Sequence, residues 1–106
     1  RNADSRGPRP RRSRLSRVVP RTPEGWLLVD HGFVREFTFP SFATAAGFVA
    51  RIGRIADDID HHPDVALRYP GVVAVHTTSH DSGTVTARDV RLAELIDAEA
   101  VREGLG

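Results

Sequence analysis

The feature that most narrows the possible folds is a run of apolar residues at three- and four-residue steps in mid-chain: Phe42, Ala45, Val49, Ile52, Ala56 and Ile59. That spacing places one apolar stripe along an α-helix, and such a helix is stable only when something covers the stripe. Ser41, just after Pro40, is a suitable N-cap, because its hydroxyl can accept a free backbone N–H of the first turn. The helix must end near Asp60, since Pro63 keeps His62 out of the helical region.

Alternating segments stand on both sides of this helix and supply its cover. Trp26 to Val29 and Phe33 to Phe39 read as two strands joined by Asp30-His31-Gly32, with Phe33, Arg35, Phe37 and Phe39 on one face. After the helix, Val65, Leu67 and Tyr69 alternate, Pro70-Gly71 turns the chain, and Val73, Val75 and Thr77 alternate again. Thr86 with Asp89 three residues on is a capping signal for a last helix bearing Val90, Ala93, Ile96 and Ala100. The expected architecture is α+β: a four-stranded antiparallel sheet with its helices packed on one face, in the order ββαββα. Leu15, Val18 and Val19 are spaced for one short leading helix before Pro20. The other face of the sheet then needs polar residues, solvent or a partner.

With 106 residues, 40% of them apolar, the chain has material for one core. Cysteine is absent, which excludes thiol catalysis, disulfides and zinc-thiolate sites, and lysine is absent, which excludes Schiff-base chemistry. Histidine and carboxylate must carry any reaction. The net charge of +1 conceals a split: residues 1–23 hold eight Arg against Asp4 alone, and residues 24–106 hold seven Arg against thirteen acids. The division reads as a basic, Pro- and Arg-rich flexible leader over 1–23 and a folded acidic domain over 24–106. Arg9, Arg11, Arg12 and Arg14 would attract nucleic acid. Pro8, Pro10, Pro20 and Pro23, with no aromatic residue to stack on bases, favour a solvated leader instead, so nucleic acid is not an expected partner. The same prolines argue against the amphipathic helix of a transit peptide. No apolar run approaches membrane-spanning length, and no membrane association is expected.

The chemistry-bearing residues gather in one stretch. Asp57, Asp60, His61, His62, Pro63 and Asp64 lead into the second hairpin, and Ser79, His80, Asp81 and Asp89 follow it. Three imidazoles near neutrality suit general acid and base catalysis. A metal site is the rival reading, but neighbours in an extended chain point to opposite sides, so His61 and His62 are poorly placed to share one ion. A serine nucleophile at Ser79 or Ser82 lacks any nucleophile-elbow pattern. His31 and His76 read as surface or packing residues, and Asp58, Asp64, Asp97 and Glu99 as solvated charges.

An acidic residue, three further residues, His-His-Pro, a following aromatic, a later His and an Asp opening the last helix form a recognisable pattern. Asp57, His61, His62, Pro63, Tyr69, His80 and Asp89 fill it here, alongside Gly25-Trp26, the strand Arg35 to Phe39 and the helix segment Arg88 to Ala93. The chain resembles the pterin-4a-carbinolamine dehydratases over Gly25 to about Val101. Three departures stand out. The stretch between Tyr69 and His80 is one residue longer than the family pattern, which predicts an enlarged hairpin that keeps Val73, Val75 and Thr77 on the inner face. Thr84 replaces the second glycine of a Gly-Gly pair, which predicts a differently shaped loop. The N-terminal segment does not resemble the acidic first helix common in the family.

The resemblance implies dehydration of a 4a-hydroxytetrahydropterin to the quinonoid dihydropterin. Hydroxide is a poor leaving group and must be protonated as it departs, while a ring nitrogen supplies the driving electron pair, so no metal or cofactor is required. His61 and His80 become the acid and base candidates, and His62 a substrate holder. Asp57, Asp60 or Asp89 would orient an imidazole, with Pro63 and Asp81 beside them and Trp26 as either an apolar wall for the pterin or core. The resemblance also implies a homodimer or homotetramer in the cytoplasm. It leaves open a noncatalytic role, as a scaffold or assembly partner of another protein.

Overall fold

A computed structural model describes residues 19–104. The six elements are β1 (Leu27–Val29), β2 (Gly32–Thr38), α1 (Phe42–Ile59), β3 (Asp64–Arg68), β4 (Val72–Thr77) and α2 (Ala87–Arg102). The expected order ββαββα and the α+β class are both present. Leu15 and Val18, and with them the expected leading helix, lie outside the described residues, as does most of the basic leader. Among the described residues no helix is long and apolar enough to cross a membrane.

Strand ends differ slightly from expectation: Trp26 precedes β1 and Phe39 follows β2, although both side chains are buried. Asp30 and His31 alone connect these strands, both with positive φ (51° and 64°). Two left-handed residues give a two-residue hairpin the twist its strands require.

The sheet is antiparallel throughout, in the order β1-β2-β4-β3. Placing β4 in the middle has a functional consequence. Thr77 pairs with Phe33 at the start of β2, and His76 pairs with Asp64 at the start of β3. The chain just before β3, the chain just after β4 and the first turn of α2 therefore meet at one end of the sheet.

Both helices cover one face. Phe33, Phe37, Val73 and Val75 point inward against Phe48, Ile52 and Ala56 of α1 and Leu92, Ala93 and Ile96 of α2. Phe48 packs on Phe37 and Phe39 with ring centroids 5.1 and 4.8 Å apart. Thr77 is buried with Val73 and Val75, so the enlarged hairpin keeps the inner register as expected. Arg51 of α1 forms ion pairs with Glu99 and Glu103 of α2. The solvated reading of Glu99 is therefore corrected: its carboxylate helps to join the two helices.

Candidate active site

The end of α1 aims the first two histidines. Asp60 adopts a left-handed conformation (φ 53°), its N–H bonds to the carbonyl of Asp57 at 3.3 Å, and the N–H of His61 bonds to that of Ala56 at 3.1 Å. This pair of bonds is a Schellman closure, and Asp is one of the few side chains that tolerates the position usually held by glycine. Asp60 thus turns the chain sharply before His61-His62-Pro63.

The two histidines take different partners, as expected of neighbours that do not point the same way. His61 is buried, and its Nε2 lies 2.7 Å from Asp89 Oδ1. His62 is exposed, with Nε2 2.8 Å from Asp57 Oδ1. Each histidine therefore has its own carboxylate. His80 is exposed on the turn after β4, and Pro63 is half-buried at the entry to β3. Among the described residues no three His, Asp or Glu side chains group to hold a metal ion.

Asp89 is the centre of the buried network. Oδ1 accepts from Thr77 Oγ1 as well as facing His61, and Oδ2 accepts from Ser79 Oγ at 2.7 Å and the Thr86 N–H at 2.9 Å. Four partners fill the acceptor sites of the two oxygens. Burial pushes the Asp89 carboxyl up most strongly, but the bonds from Thr77, His61, Ser79 and Thr86 together outweigh it and hold the carboxyl below its ordinary value. Asp89 also completes a capping box with Thr86 at the start of α2, where the helix dipole favours negative charge.

An ionised Asp89 is acceptor-only, so neutral His61 must carry its proton on Nε2. Nδ1 has no hydrogen-bond partner among the described residues, and it is not a buried unsatisfied atom. That leaves its lone pair available for proton transfer.

The loop after His80 departs from expectation only in part. Gly83 takes the positive φ (73°), while Thr84 stays out of the left-handed region and forms a bridge with Ser79. Asp81 is exposed and bonds to Arg88 Nη2 at 2.7 Å, and that bond lowers its carboxyl.

Trp26 belongs to the core, with its indole N–H 3.0 Å from both oxygens of Asp97 and its ring edge-on to Phe37. Asp97 also receives Arg35 Nη1 at 3.0 Å, so the solvated reading of Asp97 is corrected. Burial raises the Asp97 carboxyl despite these bonds. Sequence reasoning found the Thr86-Asp89 capping pair but missed Thr77 and Ser79 as supports for Asp89. Strand parity pointed Thr77 inward and could have flagged it, whereas the turn that aims Ser79 leaves no periodic signal.

A small α+β domain with buried and exposed histidine-carboxylate pairs at one end of its sheet is a candidate acid-base enzyme. Residues 10–99 match the pterin 4 alpha carbinolamine dehydratase family. The chain belongs to that family of hydro-lyases. Relatives provisionally named pterin-4-alpha-carbinolamine dehydratases include one from Afipia carboxidovorans, 43% identical over 76% of this chain and 82% of its own length. Another, from Nitrobacter winogradskyi, is 45% identical over 72% of this chain and 76% of its own length. A crystal structure described as a transcriptional coactivator/pterin dehydratase from Brucella melitensis superposes with TM-score 0.66 and 35% identity, covering 71% of this chain and 81% of that one.

Proposed function

We propose that the protein dehydrates a 4a-hydroxytetrahydropterin to the quinonoid dihydropterin, with His61 and His80 exchanging protons with the substrate and His62 holding it. The observation that carries this reading is the 2.7 Å contact between His61 Nε2 and buried Asp89, in a chain of this family. Elimination needs a base to take the ring-nitrogen proton and an acid to protonate the departing hydroxyl. His61, with its Nε2 proton committed to Asp89, offers Nδ1 as the base. His80, on the exposed turn, delivers a proton to the hydroxyl, which leaves as water. Solvent then returns the proton from His61 to His80, and no cofactor is invoked.

The direct test follows freshly generated 4a-hydroxytetrahydropterin by ultraviolet absorbance, with native protein and with His80→Ala. Faster decay that is lost in the variant supports the reading. No acceleration by well-folded native protein contradicts it.

One observation favours a second role as a binding partner. A groove of about 670 Å³ lies on the sheet face away from the helices, lined by Leu27, Val34, Ala66, Ala74 and His76 among others. It does not include the histidines of the proposed site, and its apolar lining suits a protein surface. The Brucella neighbour's double description, as coactivator and as dehydratase, is consistent with such a role. Association into a homodimer or homotetramer belongs to the same proposal, since a domain this small gains buried surface by pairing.

A further inference from the structure

Ser79 stands where two parts of the site join. Its side chain is fully buried, with Oγ 2.7 Å from Asp89 Oδ2 and 2.8 Å from Thr86 Oγ1. Its backbone closes the following turn: its N–H donates to the Thr84 carbonyl at 3.3 Å, and its own carbonyl accepts from the N–H groups of Ser82 and Gly83 at 3.0 Å. The side chain therefore reaches His61 through Asp89, while the main chain of the same residue shapes the turn that carries His80.

The direction of each proton follows from donor and acceptor chemistry. Ionised Asp89 only accepts, so Ser79 gives it the one hydroxyl proton it has. Ser79 Oγ must then accept from the Thr86 hydroxyl, and Thr86 Oγ1 in turn accepts from the Arg88 N–H at 3.2 Å. The hydrogen bonds run one way, from Arg88 through Thr86 and Ser79 to Asp89, and each polarises the next.

We propose that Ser79 is a positioning residue coupling the two histidines: through Asp89 it keeps the His61 proton on Nε2, and through its backbone it anchors the turn presenting His80. This rests on the acid-base reading above for its catalytic half. A merely structural serine would contribute to stability and leave the tautomer of His61 untouched.

The test uses the full chain labelled with ¹⁵N, comparing native protein with Ser79→Ala and with Ser79→Cys, which preserves shape but donates weakly. Imidazole nitrogen shifts report which nitrogen of neutral His61 bears the proton. The expected result is a single Nε2–H form in the native protein and a mixture of tautomers in the variants. In the dehydration assay, kcat is expected to fall about tenfold with KM changed by less than about twofold, the scale typical of lost outer-shell support. A folded variant with native nitrogen shifts overturns the proposal, as does a displaced tautomer with native kcat. Ser79→Cys carries the test if Ser79→Ala does not fold. The shifts are read without substrate, so a displaced tautomer in a protein that never accelerates dehydration supports the positioning role and removes the dehydratase reading instead.

Discussion

Asp89 Oδ1 lies 2.7 Å from Nε2 of His61, so the carboxylate that caps α2 also holds an imidazole 28 positions earlier in the chain. One side chain thereby joins the start of the last helix to the end of the first. The helix dipole, two hydroxyls and a backbone N–H stabilise its charge where burial alone would neutralise it.

Acid should weaken the fold through this residue. The folded Asp89 carboxyl lies below its ordinary value of 3.8, so the stability it adds is fully present above that value and is lost as pH falls through the folded one. Asp97 acts in the reverse sense: its folded carboxyl is raised, so its contribution declines as pH rises through the raised value. Urea midpoints recorded from neutral pH into the acid range should drop for native protein and drop less for Asp89→Asn. Equal slopes for the two proteins would contradict the assignment.

The three histidines should separate kinetically. His61→Ala and His80→Ala are expected to lower kcat by roughly a hundredfold to ten-thousandfold, the usual range for a lost acid or base. His62→Ala, which loses only an exposed side chain paired to Asp57, should raise KM with little change in kcat. Steady-state kinetics check this, and native-like constants in all three variants would exclude the proposed roles.

Trp26→Phe should cost stability and spare turnover. The substitution keeps an aromatic ring beside Phe37 and removes the indole N–H from Asp97, which retains its bond from Arg35, so the loss is about 0.5–1.5 kcal/mol for one hydrogen bond. Asp97 lies eight residues beyond Asp89 on α2, about 12 Å along the helix axis. A fall in kcat or a rise in KM without loss of stability would instead place Trp26 against the pterin.

Much of this arrangement was legible in the sequence because it is periodic or local. The stripe from Phe42 to Ile59, the alternation of Val73, Val75 and Thr77, the Ser41 cap and the Thr86-Asp89 box each specify their element through nearby residues. The pairing of histidines with carboxylates was not legible, since it depends on three chain segments converging at one end of the sheet. Asp57, Asp60 and Asp89 look alike as letters, yet one faces an exposed His62, one turns the backbone and one is buried against His61. Asp97 and Glu99 looked like surface charges because their partners, Trp26, Arg35 and Arg51, are distant in sequence.

Asp89→Asn tests most directly whether Asp89 fixes the proton of His61, because it exchanges one carboxylate oxygen for an amide nitrogen with almost no change of shape. The measurement is the rate of 4a-hydroxytetrahydropterin dehydration by native protein and by Asp89→Asn at neutral pH, on samples shown to be folded. An amide nitrogen turned toward His61 would favour the wrong tautomer, and a loss of at least about a hundredfold is predicted. Turnover at the native rate would contradict the account.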